Sequence, residues 1–440
     1  MRYAIYTLGC KVNQYESQAM EQILTDLGHE EVDLAADFDV CIINTCTVTA
    51  VADKKNRNVI RRLKKLHPQA VIAVCGCYSQ LKPDEVRALG VDVVSGSAGR
   101  EAFLQMVLST AKDRAPRVDV DRALERRTFE LLPAGGLAAR TRAMLKVQDG
   151  CQNFCTYCVI PFARGPVRSM PLEQALCEVE RLKQAGYREI VLTGIEVASW
   201  GRDLPGQPGF ARLVDAVCSA APEIRIRLGS LEPRIIDEDF CSLLAGHKNL
   251  CPHFHLSMQS GCDTVLRRMG RRYDTARYLQ SVRLLQASFP GCAVTTDMIV
   301  AFPGETEDEF AQSLAFIRRC GFAQMHIFPY SRRPGTAADR MDGHLPNAVK
   351  EARSKAAIAV AEELNLAYRK AMIGSVQQVL LEEPAGAYDT GHAPNSIRVY
   401  CPGNGDQNVI VPIRITGLYE DGLLGERIEA ESSGSAGQTQ

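Results

Sequence analysis

The chain has 440 residues, with 51 Lys plus Arg against 52 Asp plus Glu. Balanced charge argues against a general affinity for nucleic acid, so any such footprint must be local. Sixteen cysteines, with no signal peptide and no long apolar run, argue against a secreted disulfide scaffold or a membrane protein. They point to a cytoplasmic protein using thiols for metal or redox chemistry.

Residues 1–112 alternate short apolar runs with helical patterns. YAIYTL, VCIIN, AVIAVC and VDVVSG are each followed by an amphipathic stretch. That rhythm predicts an α/β domain with a parallel sheet. Cys10, Cys46 and Cys77, in LGCKVNQYES, INTCTVTA and VCGCYSQ, each fall just past a strand. At the C-terminal edge of an open sheet they would converge, because that edge is where such sheets bind ligands. Cys41 lies within a strand and reads as core. Cys75 shares a strand face with Cys77 by alternation and competes with it as a ligand. Residues 113–140, rich in Arg, Ala and Gly, read as a linker.

A second series occupies residues 141–346. AMLKVQD, EIVLTG, IRIRLG, HFHLSM, AVTTDMIVA and FAQMHIF alternate with helical segments. Six βα units predict an open, partial barrel, short of the closed eight-stranded form. GCQNFCTYCVIPFARG follows the first strand and places Cys151, Cys155 and Cys158 at the barrel mouth. Three closely spaced thiolates can hold three corners of a cubane iron–sulfur cluster. The fourth iron then stays open for a small molecule that binds through its amine and carboxylate, S-adenosylmethionine among them. The alternatives are a three-cysteine zinc site completed by a distant His, or cysteines that only pack. An Ala-rich helix at 347–371, with Asn347 as N-cap, leads to a small β-barrel at 372–431 and a disordered tail at 432–440.

CxxxCxxC resembles the signature of the radical S-adenosylmethionine superfamily. Further stretches resemble its cofactor-binding loops: LTGIEVASWG with Glu196, RLGSLEP with Ser230 and Glu232, LSMQSG with Gln259 and Ser260, and TTDMIVAFPGET with Asp297. A second cysteine triad in an N-terminal α/β domain, followed by a partial barrel and a TRAM-like β-barrel, resembles the methylthiotransferases. Their Gly-Cys-Tyr triplet, here Gly76-Cys77-Tyr78, favours Cys77 over Cys75 as the ligand. GCKVNQYES, NTCTVTA and GCQNFCTYCVIPFARG look most like the branch that modifies N6-threonylcarbamoyladenosine at position 37 of tRNA. This resemblance implies two [4Fe-4S] clusters, one on Cys10, Cys46 and Cys77 and one on Cys151, Cys155 and Cys158. It also implies two S-adenosylmethionine molecules: one methylates a sulfur on the first cluster, the other yields the radical that activates adenine C2. The implied partners are a tRNA anticodon loop and a flavodoxin-like or ferredoxin-like electron donor. The rival readings are another tRNA adenosine, a ribosomal protein, or a non-catalytic zinc-stabilised RNA-binding protein. Ala301 and Trp200 depart from the family's usual glycine and tyrosine.

Local basic runs offer RNA contacts. Residues 53–65 carry seven basic residues and one acidic, and residues 113–146 eight against five. Arg267, Arg268, Arg271 and Arg272 form another run, and Arg332 and Arg333 a short one. From residue 373 onward, nine acidic residues face three basic ones, so the C-terminal barrel must meet RNA by stacking or hydrogen bonds.

Overall fold

Strands β1 (Arg2–Thr7), β2 (Glu30–Glu31), β3 (Val40–Thr45), β4 (Val71–Gly76), β5 (Val93–Ser95) and β6 (Arg117–Asp119) form one sheet, ordered β2-β1-β3-β4-β5-β6. Every pairing is parallel. β3 and β4 are buried along their whole length and apolar apart from Asn44 and Thr45 at the end of β3, as a sheet covered on both faces requires. Met20, Leu24, Phe103 and Val107 of helices Lys11–Asp26 and Arg100–Asp113 cover one face. Ile60 and Leu63 of helix Ala50–Leu66 cover the other. The structure, a computed structural model, describes residues 1–135 and 141–428. The segment read as a bare linker contributes β6 to this sheet. The end of that segment, 136–140, the last residues assigned to the C-terminal barrel and the tail 432–440 lie outside the described residues.

The central domain contains β7 (Arg142–Lys146), β8 (Gln148–Asp149), β9 (Arg168–Ser169), β10 (Glu189–Thr193), β11 (Arg225–Leu228), β12 (His253–His255), β13 (Ala293–Val300) and β14 (Gln324–Pro329). Two parallel sheets, β7-β10-β11 and β12-β13-β14, meet through parallel bridges Ile226–Leu250 and Leu231–Leu256. Six strands thus make an open barrel, with β14 at its free edge. Alternation sends Leu145, Ile190, Leu192, Leu228 and Phe254 outward into the core beneath the helices. The stretch AMLKVQD, read as one strand, breaks at Val147. Its end, β8, leaves the barrel and pairs antiparallel with β9, closing the base of the cysteine loop.

Strands β15 (Val376–Ala385), β16 (Tyr388–His392), β17 (Arg398–Pro402), β18 (Val409–Tyr419) and β19 (Gly422–Arg427) close into a small barrel. Val379, Leu381, Val399, Ile413 and Leu423 fill it. Helix Asn347–Ala371 packs along β14 and connects the two barrels. Among the described residues, no helix is long and apolar enough to cross a membrane.

Candidate active site

The three N-terminal cysteines follow neighbouring strands. β1, β3 and β4 run side by side, with Thr7 opposite Asn44 and Thr45 opposite Gly76. Parallel strands in register end at the same level, so Cys10, Cys46 and Cys77 emerge together. Gly9 (φ +114°) permits this approach: a Cβ there would lie 2.7 Å from Cys46 Cβ. Gly76 (φ +106°) turns the chain between Cys75 and Cys77, where a Cβ would strike the Thr45 carbonyl. That turn ends the strand alternation, so the two cysteines do not share a face. Cys75 is buried with Tyr3, Met20 and Ile42 in the core. Cys77 instead feels the charges of Cys10 and Cys46.

In the barrel loop, backbone N–H groups point at sulfur: Asn153 at Cys151 and Ile160 at Cys158. Arg271 Nη1 donates to Cys155 Sγ at 3.2 Å. The loop is pinned by the Thr156 N–H on the Met269 carbonyl and the Thr156 hydroxyl on the Arg268 carbonyl. By sequence Arg271 belongs to a basic run that suggests RNA contact. Its guanidinium instead covers the Tyr273 ring at 4.8 Å and serves the cysteine loop.

Cys10 of the first triad and the whole second triad border one cavity of about 470 Å³, the size of a typical small-molecule site. Cys10 and Lys11 line it from the sheet, and Cys151, Cys155 and Cys158 from the barrel. Glu196, Ser230, Glu232 and Gln259 line it as well. Burial, reinforced by the Glu232 carboxylate, pushes the Glu196 carboxyl up to about 7. Glu196 Oε1 and Glu232 Oε2 are buried without partners, as expected where a polar ligand completes them. Two expected contacts lie elsewhere. Asp297 Oδ2 sits 3.3 Å from His255 Nε2 in the barrel lumen. The Ser260 hydroxyl is occupied by Ser313 and the Cys262 N–H.

Behind the cavity lies a buried knot of charge that the sequence did not announce. Glu16 accepts from Arg100 at 2.8 Å, from Lys146 at 3.4 Å and from Arg164. Asp149 binds Lys146 at 3.4 Å and Arg168 at 3.3 Å. Burial alone would raise the Glu16 carboxyl, but Arg164, Arg100 and Lys146 hold it well below the usual range. Within this group Arg100, Lys146, Arg164 and Arg168 outnumber Glu16 and Asp149. The surplus positive charge sits beside Cys77, where Arg164 Nε donates to Sγ at 3.2 Å. Cations near sulfur favour the thiolate that metal binding needs.

The donor set suits iron–sulfur clusters. Among the described residues no three His, Cys, Asp or Glu side chains converge on a single-ion site, whereas a cubane spreads its thiolates over separate irons. Without metal, burial pushes Cys77 and Cys158 up to about 12 and Cys151 up to about 11. Iron binding would therefore release protons.

Other basic residues divide into structural and free. Arg333 is buried and ties the barrel to the N-terminal domain through Asp53 at 2.8 Å and Thr47 at 2.6 Å. Arg268 pairs with Glu309, and Arg332 with Asp339. Lys54, Lys55, Arg61, Arg62 and Lys65 remain exposed along helix Ala50–Leu66, just after Cys46.

Residues 145–317 match the radical SAM superfamily, and residues 2–96 match a family described as uncharacterized protein family UPF0004. A Bacillus subtilis protein, threonylcarbamoyladenosine tRNA methylthiotransferase MtaB, is 39% identical over 97% of this chain and 97% of its own. Its namesake from Chlamydia pneumoniae is 36% identical over 96% and 97%. The radical S-adenosylmethionine methyltransferase TsrM from Kitasatospora setae shares the fold, with a TM-score of 0.56 at 15% identity over 77% of this chain and 76% of its own. The chain is an enzyme and belongs to the tRNA methylthiotransferase family of radical S-adenosylmethionine enzymes.

Proposed function

We propose that this enzyme adds a methylthio group to C2 of N6-threonylcarbamoyladenosine at position 37, in the anticodon loop of tRNA. The observation that carries the reading is a cavity bordered by Cys10 of the first triad and by all three cysteines of the second, with one buried, unpartnered oxygen on each of Glu196 and Glu232 in its wall. Cys151, Cys155 and Cys158 would hold one [4Fe-4S] cluster, and Cys10, Cys46 and Cys77 the other. Bound together with S-adenosylmethionine, the clusters supply the radical and sulfur-transfer chemistry that an unactivated aromatic C–H demands.

The protein's own groups prepare this chemistry. Glu196 and Glu232 offer carboxylate oxygens to an amine and to ribose hydroxyls. A cationic amine beside Glu196 restores the charge that burial suppresses. Gln259, held at φ +69° by backbone bonds to Asp297 and Ile299, and Ser230 add polar contacts on the same wall. Val12, Ile160, Ile195 and Leu231 supply apolar surface that limits water around a reactive species. Arg271 and Arg164 fix Cys155 and Cys77 and balance their charge. The exposed cations of helix Ala50–Leu66 lie on the side where RNA phosphates would approach. In the C-terminal barrel Tyr388, Tyr400 and Tyr419 form a ring cluster, with Arg398 over Tyr400 at 5.2 Å. The half-buried rings of Tyr388 and Tyr419 offer aromatic faces through which an acidic domain can meet bases without attracting phosphate. The reading carries with it a cytoplasmic location and a flavodoxin-like or ferredoxin-like electron donor.

Mass spectrometry of tRNA nucleosides from a deletion strain tests it. Loss of 2-methylthio-N6-threonylcarbamoyladenosine, restored by the wild-type gene and not by a Cys151→Ala form, is the expected result. An unchanged level overturns the reading.

A further inference from the structure

Among the described residues, Cys77 is the cysteine of the first triad whose sulfur accepts a hydrogen bond from a cation. That cation comes from the other domain. Arg164 is fully buried and ends the short helix Ile160–Arg164, which follows Cys158 of the barrel loop. Its Nε donates to Cys77 Sγ at 3.2 Å. Its other two nitrogens are held as firmly. Nη2 donates to Asn13 Oδ1 at 2.7 Å and to Glu16 Oε2 at 3.2 Å. Nη1 donates to Glu16 Oε1 and, at 3.3 Å, to the Ser97 carbonyl. With all three nitrogens engaged, the guanidinium is fixed against the sulfur. An arginine also stays charged at any working pH.

The charge behind Arg164 is not cancelled. Arg100 and Lys146 reach Glu16, while Lys146 and Arg168 reach Asp149. All of these side chains are buried. A third carboxylate, Glu130, is half-buried at the rim and accepts the N–H groups of Gly99 and Arg100. The Arg126–Asp121 pair beside them is neutral as a unit. Four cations, Arg100, Lys146, Arg164 and Arg168, thus face three carboxylates, Glu16, Asp149 and Glu130. Salt and water screen buried charge weakly, so the surplus acts on Cys77 at close range.

Reduction of an iron–sulfur cluster adds one negative charge. Net charge and hydrogen bonds at the ligand sulfurs are among the factors that set its potential. A donor and a positive surplus at one ligand stabilise the reduced form more than the oxidised form. We propose that Arg164 is a positioning residue that raises the reduction potential of a cluster held by Cys10, Cys46 and Cys77, acting through Cys77 Sγ. This rests on the two-cluster reading above and goes beyond it. Arg164 belongs to the barrel domain, so the ease of reducing the sheet-domain cluster depends on how the two domains dock. The barrel triad has its own arginine, Arg271 on Cys155, and serves as an internal control.

The test uses full-length protein reconstituted without oxygen, with the barrel triad changed to Ala so that only the N-terminal cluster is read. The control carries the opposite triad substitution. Reductive titration followed by electron paramagnetic resonance gives each midpoint potential. Arg164→Gln should lower the N-terminal potential by at least a tenfold change in the reduction equilibrium, about 59 mV for one electron. Arg164→Lys keeps the charge, loses the fixed fork, and should shift the potential less in the same direction. Lys146→Gln leaves the Cys77 hydrogen bond in place and should lower the potential through the lost charge. The barrel cluster of the control should not move. If Arg164→Gln fails to hold iron, Arg164→Lys and Lys146→Gln decide. Unchanged potentials with a normal cluster spectrum, or an equal shift in both clusters, overturn the proposal and leave Arg164 as a tie between domains. Loss of the N-terminal iron in all three variants overturns it as well, because the network would then serve assembly and not potential. If the N-terminal triad takes up no iron with Arg164 and Lys146 intact, the two-cluster reading itself fails.

Discussion

Arg164 Nε donates a 3.2 Å hydrogen bond to Cys77 Sγ, although Arg164 follows the cysteine loop of the barrel and Cys77 ends a strand of the N-terminal sheet. The same guanidinium binds Asn13 at 2.7 Å and also Glu16, both on the helix that starts after Cys10. One side chain therefore locks the two halves of the site together. Replacing it with Gln leaves Glu16 buried beside a weaker partner, a loss worth about 3–5 kcal/mol for a buried network. Thermal unfolding of Arg164→Gln should show a drop of that order, with Arg164→Lys intermediate. A change below about 1 kcal/mol contradicts this role.

The cysteine triads predict an asymmetric pair of variants. Wild type reconstituted without oxygen should carry roughly eight irons, two cubanes, and each triple Cys→Ala variant roughly four. The Cys10/Cys46/Cys77 variant should still cleave S-adenosylmethionine but transfer no methylthio group. The Cys151/Cys155/Cys158 variant should do neither. Methylthio transfer by the first variant would remove the N-terminal triad from the sulfur-carrying role.

Glu309 caps helix Glu307–Cys320 through a capping box with Thr306 and receives Arg268 Nη2 at 2.6 Å. The Arg268 hydrogen bond holds its carboxyl down to about 2. A carboxyl depressed on folding stabilises the protein above its unfolded value near 4.5 and loses that contribution as pH falls toward 2. Allowing for solvent around Arg268, Glu309→Gln should cost about 1–2 kcal/mol at neutral pH. Unfolding curves of wild type and variant should converge as pH drops from 4.5 toward 2. A constant difference across that range contradicts the assignment.

Lys54, Lys55, Arg61, Arg62 and Lys65 are exposed cations of helix Ala50–Leu66. Changing Lys54, Lys55, Arg61 and Arg62 to Ala should weaken tRNA binding and flatten its salt dependence by roughly one unit of log–log slope per lost phosphate contact. Arg333→Ala should act differently, lowering stability through its buried pair with Asp53. Titrations of tRNA at several salt concentrations, with melting curves alongside, separate the two effects.

How much of this was legible beforehand differs by residue. The strand–helix rhythm announced the parallel sheet and the six-stranded open barrel, because period-2 and period-3.6 patterns are local properties of the chain. Spacing alone marked Cys151, Cys155 and Cys158 as a unit. Cys10, Cys46 and Cys77 were legible only because parallel strands in register end at one level. The arginines were misjudged because charge runs do not reveal their partners. Arg268, Arg271 and Arg333 read as RNA contacts, yet the fold commits them to Glu309, Cys155 and Asp53. Asp297, which the resemblance places at the cofactor, lies 3.3 Å from His255 Nε2 and does not line the shared cavity. Strand alternation alone puts Cys75 and Cys77 on one face, and the positive φ of Gly76 separates them.

By itself, then, the sequence determined the elements, the ligand-bearing loops and the family, since each rests on residues close together in the chain. Only the tertiary structure decided which charges neutralise one another, which carboxylates face the cavity, and that Arg164 of the barrel domain reaches Cys77 of the sheet domain. Those outcomes depend on contacts between residues tens to hundreds of positions apart, and burial acts on them only once the chain has folded.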